Sequence, residues 1–475
     1  MEAIEPAYGT ATLLIIAAVA VAVLLVLIIQ VKLHAFVSLV LVSVLTALAA
    51  GIPVGKVPDA LIYGFADTLG SVALLVGFGV MIGRILEVTG GAQVLADTLI
   101  ARFGEHRAPF ALGVASLIFG FPIFFDAGLV IFLPIIYTVG RRFGGSVLYY
   151  ALPAAGAFAA MHAIVPPHPG PVAAAQALDG DVGLTLLVGV PVALVSWYVG
   201  AYLVSRFLAG RVYVDIANMV FGDINGGDDG NGGGNANGGG SGGTGTQTRT
   251  APAFLTVLGL LLIPLVLIAC NTVLSTLVTS GAIGEGHTVV DFFILIGNTP
   301  VALLITVLAC VFTLGVRGRS MSQVSSLLDR SLGPVCAIIL ITGAGGMFGG
   351  VLELSGIGEA LSGSLSNLGI SLILQAFVIA AILRVAQGSA TVALTTASGL
   401  IADAASGLGA FDLALLVVAI AAGATVLSHV NDSGFWLVSR FFGMDEKTTL
   451  KTWTVMETTL GVTAFVISAI LWAVF

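Results

Sequence analysis

The chain has 475 residues, of which 58% are hydrophobic and 9% charged, with a formal net charge of −8. A soluble domain carries about 25% charged residues, so this composition cannot cover a water-facing surface and argues against a soluble enzyme or a nucleic-acid binder. The apolar runs are continuous rather than alternating, which excludes a membrane β-barrel and leaves α-helices as the spanning elements.

A span needs about 20 apolar residues. The first such run, 11–31, follows Glu2 and Glu5 with no Lys or Arg, unlike a cleavable signal peptide, and reads as a retained span. Spans follow at 33–50 and 68–86. The stretch 109–139 is too long for one crossing and is interrupted at Phe121-Pro122-Ile123-Phe124-Phe125-Asp126, so a re-entrant hairpin is expected there. The next span, 148–178, holds four prolines within His162–Pro171, a segment that cannot be regular helix; a span at 183–205 completes the first half. Residues 206–250 include the Gly/Asn/Asp-rich stretch Gly222–Gln247, which cannot bury a core and predicts a cytoplasmic linker. Spans resume at 253–280, 292–316 and 334–352. A second overlong stretch, 370–402, breaks at Arg384–Ser389 and predicts a second hairpin. A broken span at 412–438 and a last one at 455–475 close the chain. Cys270, Cys310 and Cys336 lack metal-ligand spacing and read as small packing residues.

Threading these spans with the N-terminus outside places all of the 17 Lys and Arg in the cytoplasm except Lys56, which falls outside, and Arg384, within the membrane. That is a strong positive-inside pattern, and it requires both hairpins. An internal repeat is also present: Gly77–Glu87 aligns with Gly343–Glu353, and Gly90, Leu95 and Leu99 align with Gly356, Leu361 and Leu365 at the same offset. An odd number of spans separates equivalent points, so the second copy is expected to be inverted. The predicted fold is therefore an all-α polytopic membrane protein of two inverted-topology repeats, residues 1–205 and 251–475, each about five spans plus a re-entrant hairpin. Inverted repeats with broken helices are a signature of secondary transporters. The G-x-G-x-x-x-G stretches lie inside apolar spans, where close helix packing explains them better than a nucleotide loop, and there is no Walker A sequence.

A charge at the bilayer centre costs ~2.5–3.5 kcal/mol, so ionisable residues at membrane depth are functional candidates. They are Asp126, His162, His168, Arg384, His429 and Asp432, all in the hairpins or the broken spans. Arg384 offers a fork suited to a carboxylate, and Gln387, Gly388, Ser389 and Thr391 add amides, hydroxyls and a half-helix start. The competing expectation is that Arg384 pairs with Asp432 without touching substrate. Asp126, Asp432, His162 and His429 are the candidate proton carriers, while His168, Asn431 and Ser433 sit where unwound backbone would line a binding cavity.

At Gly120–Asp126, His162–Pro171, Leu383–Ala393, Ser428–Trp436 and Lys451–Thr458 the sequence resembles the gluconate permease (GntP) family of proton-coupled sugar-acid symporters. The resemblance implies up to fourteen helices, an ion-transporter-superfamily fold, and uptake of gluconate or related hydroxy-acids with protons. It leaves the particular acid open, and the Gly/Asn/Asp-rich linker is longer than is usual there.

The expected function is proton-coupled uptake of a small hydroxy-carboxylate by alternating access in a multi-pass plasma-membrane protein, with the N-terminus outside. The expected partners are the lipid bilayer and an organic acid anion; no cofactor or metal and no nucleic acid are expected, the coupling ion is H+, and homo-oligomerisation is left open. The alternatives are a sodium-coupled di- or tricarboxylate carrier of the same architecture, and an intramembrane hydrolase using Ser389 or Ser433 with His429.

Overall fold

The computed structural model describes residues 6–104, 107–121, 123–166, 168–216, 251–279, 283–284, 286–357 and 371–475. The described residues are helical with no strand. In the first half the helices are α1 (Thr10–Gln30), α2 (Ala35–Ala49), α3 (Val57–Val88), α4 (Gly91–Phe103), α5 (Ala108–Gly120), α6 (Phe125–Phe143), α7 (Leu148–Ile164), α8 (Pro169–Ala177) and α9 (Val182–Ala209). In the second they are α10 (Phe254–Thr279), α11 (Thr288–Gly297), α12 (Thr299–Gly315), α13 (Met321–Leu354), α14 (Leu372–Gln387), α15 (Ala390–Ala405), α16 (Ala410–Thr425), α17 (Ser433–Phe441) and α18 (Glu446–Val474). Among the described residues, six helical stretches are long and apolar enough to cross a bilayer unaided, including α1, α9 and α18.

Burial separates centre from periphery. From Leu413 to Thr425 every residue of α16 is buried, and α6 and α7 are nearly so. Peripheral helices expose large apolar side chains instead, among them Ile15, Leu187, Leu255 and Phe312, as lipid contact requires. Many buried hydroxyls within spans donate to their own helix, as Ser43 does to the Leu39 carbonyl (2.7 Å) and Thr425 to that of Ala421 (2.8 Å), while Ser116 and Thr342 have no partner among the described residues.

The repeated sequence repeats its local structure. Helix α3 ends with Gly90 at φ 77°, and α13 with its counterpart Gly356 at φ 73°. The Thr89 and Gly90 amides donate to the Ile85 and Glu87 carbonyls, and Ser355 and Gly356 donate to Val351 and Glu353 in the same pattern. Only glycine enters this left-handed turn without strain, which explains why it stands at both ends. The other aligned residues, Leu361 and Leu365, lie outside the described residues, as do Pro122, Pro167 and 217–250 of the linker.

Helices α3 and α13 pack against each other in antiparallel order: Gly64 meets Gly350, Thr68 meets Gly346, and Arg319 at the start of α13 donates to the Val88 carbonyl at the end of α3 (3.2 Å). A Cβ on Gly350 would lie 2.7 Å from the Gly64 Cα, so the backbones touch through glycine. In the Gly77–Gly83 block, Gly77 faces α13 through Leu332, 3.8 Å from where its Cβ would stand. Gly79 packs instead on Val130 of α6.

Several boundaries differ from the sequence expectation. The span expected at 292–316 is two helices, α11 and α12, bent by 69° at Asn298. The sequence Asn298-Thr299-Pro300 places a turn-forming residue and a proline at a helix start, where the missing proline N–H costs nothing. The expected linker at 206–250 begins later than that: α9 continues to Ala209, and Val214 is tied to Val147 (2.9 Å) and to the Ser146 hydroxyl (3.1 Å). The first break is also narrower, because α7 stays helical through His162 to Ile164 and helix resumes at Pro169. Cys336 is exposed on α13 rather than packed, whereas Cys310 is buried.

Candidate functional site

The four interruptions that divide α5 from α6, α14 from α15, α16 from α17, and α11 from α12 converge on one cavity of about 470 Å³. Four helix starts line it: Phe124–Asp126, Asn298–Pro300, Ser389–Thr391 and Asp432–Gly434. A helix start presents unpaired backbone N–H groups and the positive end of the helix dipole, so the cavity is built to receive negative charge.

Gly388 makes the α14–α15 turn possible. Its φ is +80°, and a Cβ there would lie 2.2 Å from the Asn431 carbonyl oxygen. Glycines 345 and 349 of α13 admit the same loops, since a Cβ would stand 3.3 Å from the Asn431 oxygen and 2.8 Å from the Gln387 oxygen. The two breaks are thus pressed together against a glycine-faced wall.

Arg384 sits 4% exposed at the end of α14. Its guanidinium pairs with the Asp432 carboxylate, donates to the Gly388 carbonyl, and lies 3.7 Å from the Glu457 carboxylate. The Ser428 hydroxyl and the Gly434 amide, the latter at 3.0 Å, complete the shell around Asp432. The Trp453 indole donates to Ser428 Oγ (2.8 Å), the Thr454 hydroxyl to the Ser428 carbonyl (2.5 Å), and the Leu427 amide to Thr458 Oγ1 (3.1 Å), anchoring the second break along α18. The pairing that competed with substrate contact in the sequence is therefore present: Arg384 closes the two breaks on each other while still lining the cavity.

Asn431 bonds the Val385 (2.9 Å) and Ala386 (3.0 Å) carbonyls through Nδ2. That fixes its amide orientation and leaves Oδ1 buried without a partner; Gln387 Oε1 is likewise unpaired. Both residues line the cavity, and an unpaired acceptor there calls for a hydroxyl donor, not for a carboxylate. Ser389 Oγ accepts from the Val392 amide (3.3 Å), and Ser389, Thr391 and Ser433 are each partly open.

The histidines divide. His162 lines the cavity, with Nδ1 unpartnered and its ring 5.6 Å from Phe124 and 5.0 Å from His168. His168 stands behind it, bonded to the Gly120 carbonyl (2.9 Å), and does not line the cavity. His429 is bonded to the Val385 carbonyl (2.9 Å) with its other nitrogen unpartnered, so it activates neither Ser389 nor Ser433. Asp126 also lines the cavity, next to Phe125, whose ring lies 5.4 Å from that of Trp453, and forms no hydrogen bond or ion pair with the described residues.

Sequence reasoning did not single out Asp67, Glu353, Glu457, Trp453 or the Asn298 bend as site residues, and all line the cavity. Asp67 and Glu353 are exposed near the glycine seam, whereas Glu457 is 4% exposed. Among the described residues, five that bear a carboxyl therefore line the cavity against one guanidinium and no lysine. Among the described residues no group of His, Cys, Asp and Glu is placed to hold a metal ion.

The sequence profile of the GntP family permeases matches residues 12–475. The inner membrane permease YgbN of Escherichia coli K12 is 38% identical over 98% of this chain and 99% of its own length. A gluconate permease of Pseudomonas aeruginosa is 34% identical over 96% of both chains, and the high-affinity gluconate transporter of Escherichia coli K12 is 35% identical over 95% of this chain and 98% of its own. Among solved structures, the Alcanivorax borkumensis YdaH transporter overlaps 92% of this chain and 98% of its own at 14% identity and a TM-score of 0.42. The three relatives similar in sequence are named as permeases or transporters. The chain is a multi-pass membrane protein of the GntP permease family.

Proposed function

We propose that this protein takes up gluconate or a closely related hydroxy-carboxylate together with protons, by alternating access around the cavity at the two breaks. One observation carries the reading: one cavity combines helix starts that favour an anion, unpaired amide oxygens that suit hydroxyls, and an excess of carboxyls over guanidinium. The substrate carboxylate would lie at the α15 start with Ser389 and Thr391, and Asn431 and Gln387 would accept from its hydroxyls. Two of the three relatives above are named for gluconate.

The carboxyl excess supports proton coupling. With five ionised carboxylates around it, an anion would be repelled; protons on some of them remove that repulsion, so anion and proton would enter together. A membrane potential acts with ~2.3 kcal/mol per charge per 100 mV, so it assists uptake only if more than one proton accompanies each monoanion. The antiparallel packing of the equivalent helices α3 and α13 supports an inverted relation between the halves, as alternating access by repeat-on-repeat motion requires. The clustering of Lys and Arg supports an outside N-terminus.

The test is uptake of labelled gluconate into proteoliposomes under an imposed pH gradient and potential, with sodium replaced at fixed pH. Accumulation driven by the pH gradient and indifferent to sodium is expected; uptake that follows sodium and ignores pH would overturn the reading. Competition by glycerate, lactate and citrate then ranks the acids, and weak competition by citrate is expected.

A further inference from the structure

Arg384 faces two buried carboxyls, and only one of them is built as its structural partner. Asp432 is held on every side: by Arg384, by the Ser428 hydroxyl and by the Gly434 amide, and it caps the start of α17. Glu457 has one neighbour of this kind, the same guanidinium at 3.7 Å, beyond ordinary hydrogen-bond length. Yet its side chain is only 6% exposed and lines the cavity. One cation cannot neutralise two ionised carboxylates, and an uncompensated charge at membrane depth is expensive. Among the described residues, the surrounding groups supply no further positive charge. On α14 and the second break these are Arg384, Asp432 and His429, whose ring is occupied by the Val385 carbonyl. Around the cavity, α6 contributes Asp126 and α7 contributes His162.

We infer that Glu457 carries a coupling proton, exchanging it with the cavity as Arg384 turns between Asp432 and Glu457. With Glu457 protonated, Arg384 and Asp432 form a neutral pair and the site accepts an anion. When Glu457 releases its proton, the carboxylate that remains draws the guanidinium, loosening the clasp between the two breaks and the Gly388 carbonyl. The proton bound on one side of the membrane is the one released on the other, so it is counted once per cycle; a further proton would ride on another carboxyl such as Asp126. Asp432, with its full shell of donors, is the fixed member of the pair.

This inference rests on the proton-coupled reading, and the experiment separates the two. In proteoliposomes, the proton-to-gluconate ratio of the wild-type protein is measured beside that of Glu457→Gln. A wild-type ratio of zero overturns the coupled reading itself. With a coupled wild type, Glu457→Gln should lose about one proton per gluconate while keeping gluconate counterflow, so that each pH unit of gradient drives about tenfold less accumulation. A variant with the wild-type ratio overturns the role of Glu457. The second measurement needs no variant. Infrared difference spectra of the wild-type protein with and without gluconate should show a protonated-carboxyl C=O band that shifts when glutamate is carbon-13 labelled. A difference spectrum with no band sensitive to glutamate labelling overturns the inference, whatever Glu457→Gln does to folding.

Discussion

The breaks between α5 and α6 and between α14 and α15 occupy corresponding places in the two halves, yet their chemistry is opposite. The first presents Phe124, Phe125 and Asp126 at its helix start, an apolar tip with one carboxyl that bonds to no described residue. The second presents Gly388, Ser389 and Thr391 behind an arginine already committed to Asp432. Both starts offer the same backbone N–H groups and dipole. In the first break the helix start carries a carboxyl of its own, and in the second it carries hydroxyls. An incoming anion would therefore choose α15, leaving the α6 start for a proton.

The contrast can be broken by substitutions, taken in order of expected damage. Asp432→Asn removes one member of the buried Arg384 pair; such a loss costs about 3–5 kcal/mol, and thermal unfolding in detergent should drop sharply with uptake abolished. A stable, active Asp432→Asn would mean that Arg384 does not clasp the second break. Gly388→Ala forces a side chain into a positive-φ turn, worth about 1–3 kcal/mol of strain, against an oxygen 2.2 Å away. Uptake should be lost with a smaller fall in unfolding temperature. Thr391→Val keeps shape and removes a cavity-facing hydroxyl; a lost hydrogen bond to a charged group of about 1.5 kcal/mol should raise the KM for gluconate about tenfold with unfolding unchanged. An unaltered KM would move the carboxylate away from α15. Asp126→Asn breaks no described ion pair, so its unfolding temperature should match the wild type's, and the effect should show only as a flatter dependence of uptake rate on external pH. If Asp126→Asn instead raised KM as Thr391→Val does, the two helix starts would share one task.

The sequence exposed those features whose signal is local. Prolines, glycine and isolated charges within apolar runs marked the breaks at 121–124 and 388–389, and the pairing of Gly90 with Gly356 emerged from simple alignment. Other features depend on partners distant in sequence. Glu457 lies in an unbroken helix and reads as a flanking charge until Arg384 is placed beside it. Asp67 and Glu353 become cavity residues only because the α3–α13 seam sets them there. The Asn298 bend had a local signal, a proline two residues after an asparagine, but no charge drew attention to it, and continuous hydrophobicity suggested one straight span. The roles of the histidines could not be separated from spacing alone, since His162 and His168 differ in which way they face rather than in their surroundings along the chain.

The glycine seam carries a consequence for how such permeases diversify. Helix α13 has two working faces: Gly346 and Gly350 rest on α3, while Gly345 and Gly349 rest on the carbonyls of the two breaks. Adding a methyl group to the first face pushes the helix toward the second, so bulk in the seam reshapes the chamber that all four glycines line. Chamber width can thus be retuned through these glycines, with the polar side chains that would hold the acid left as they are.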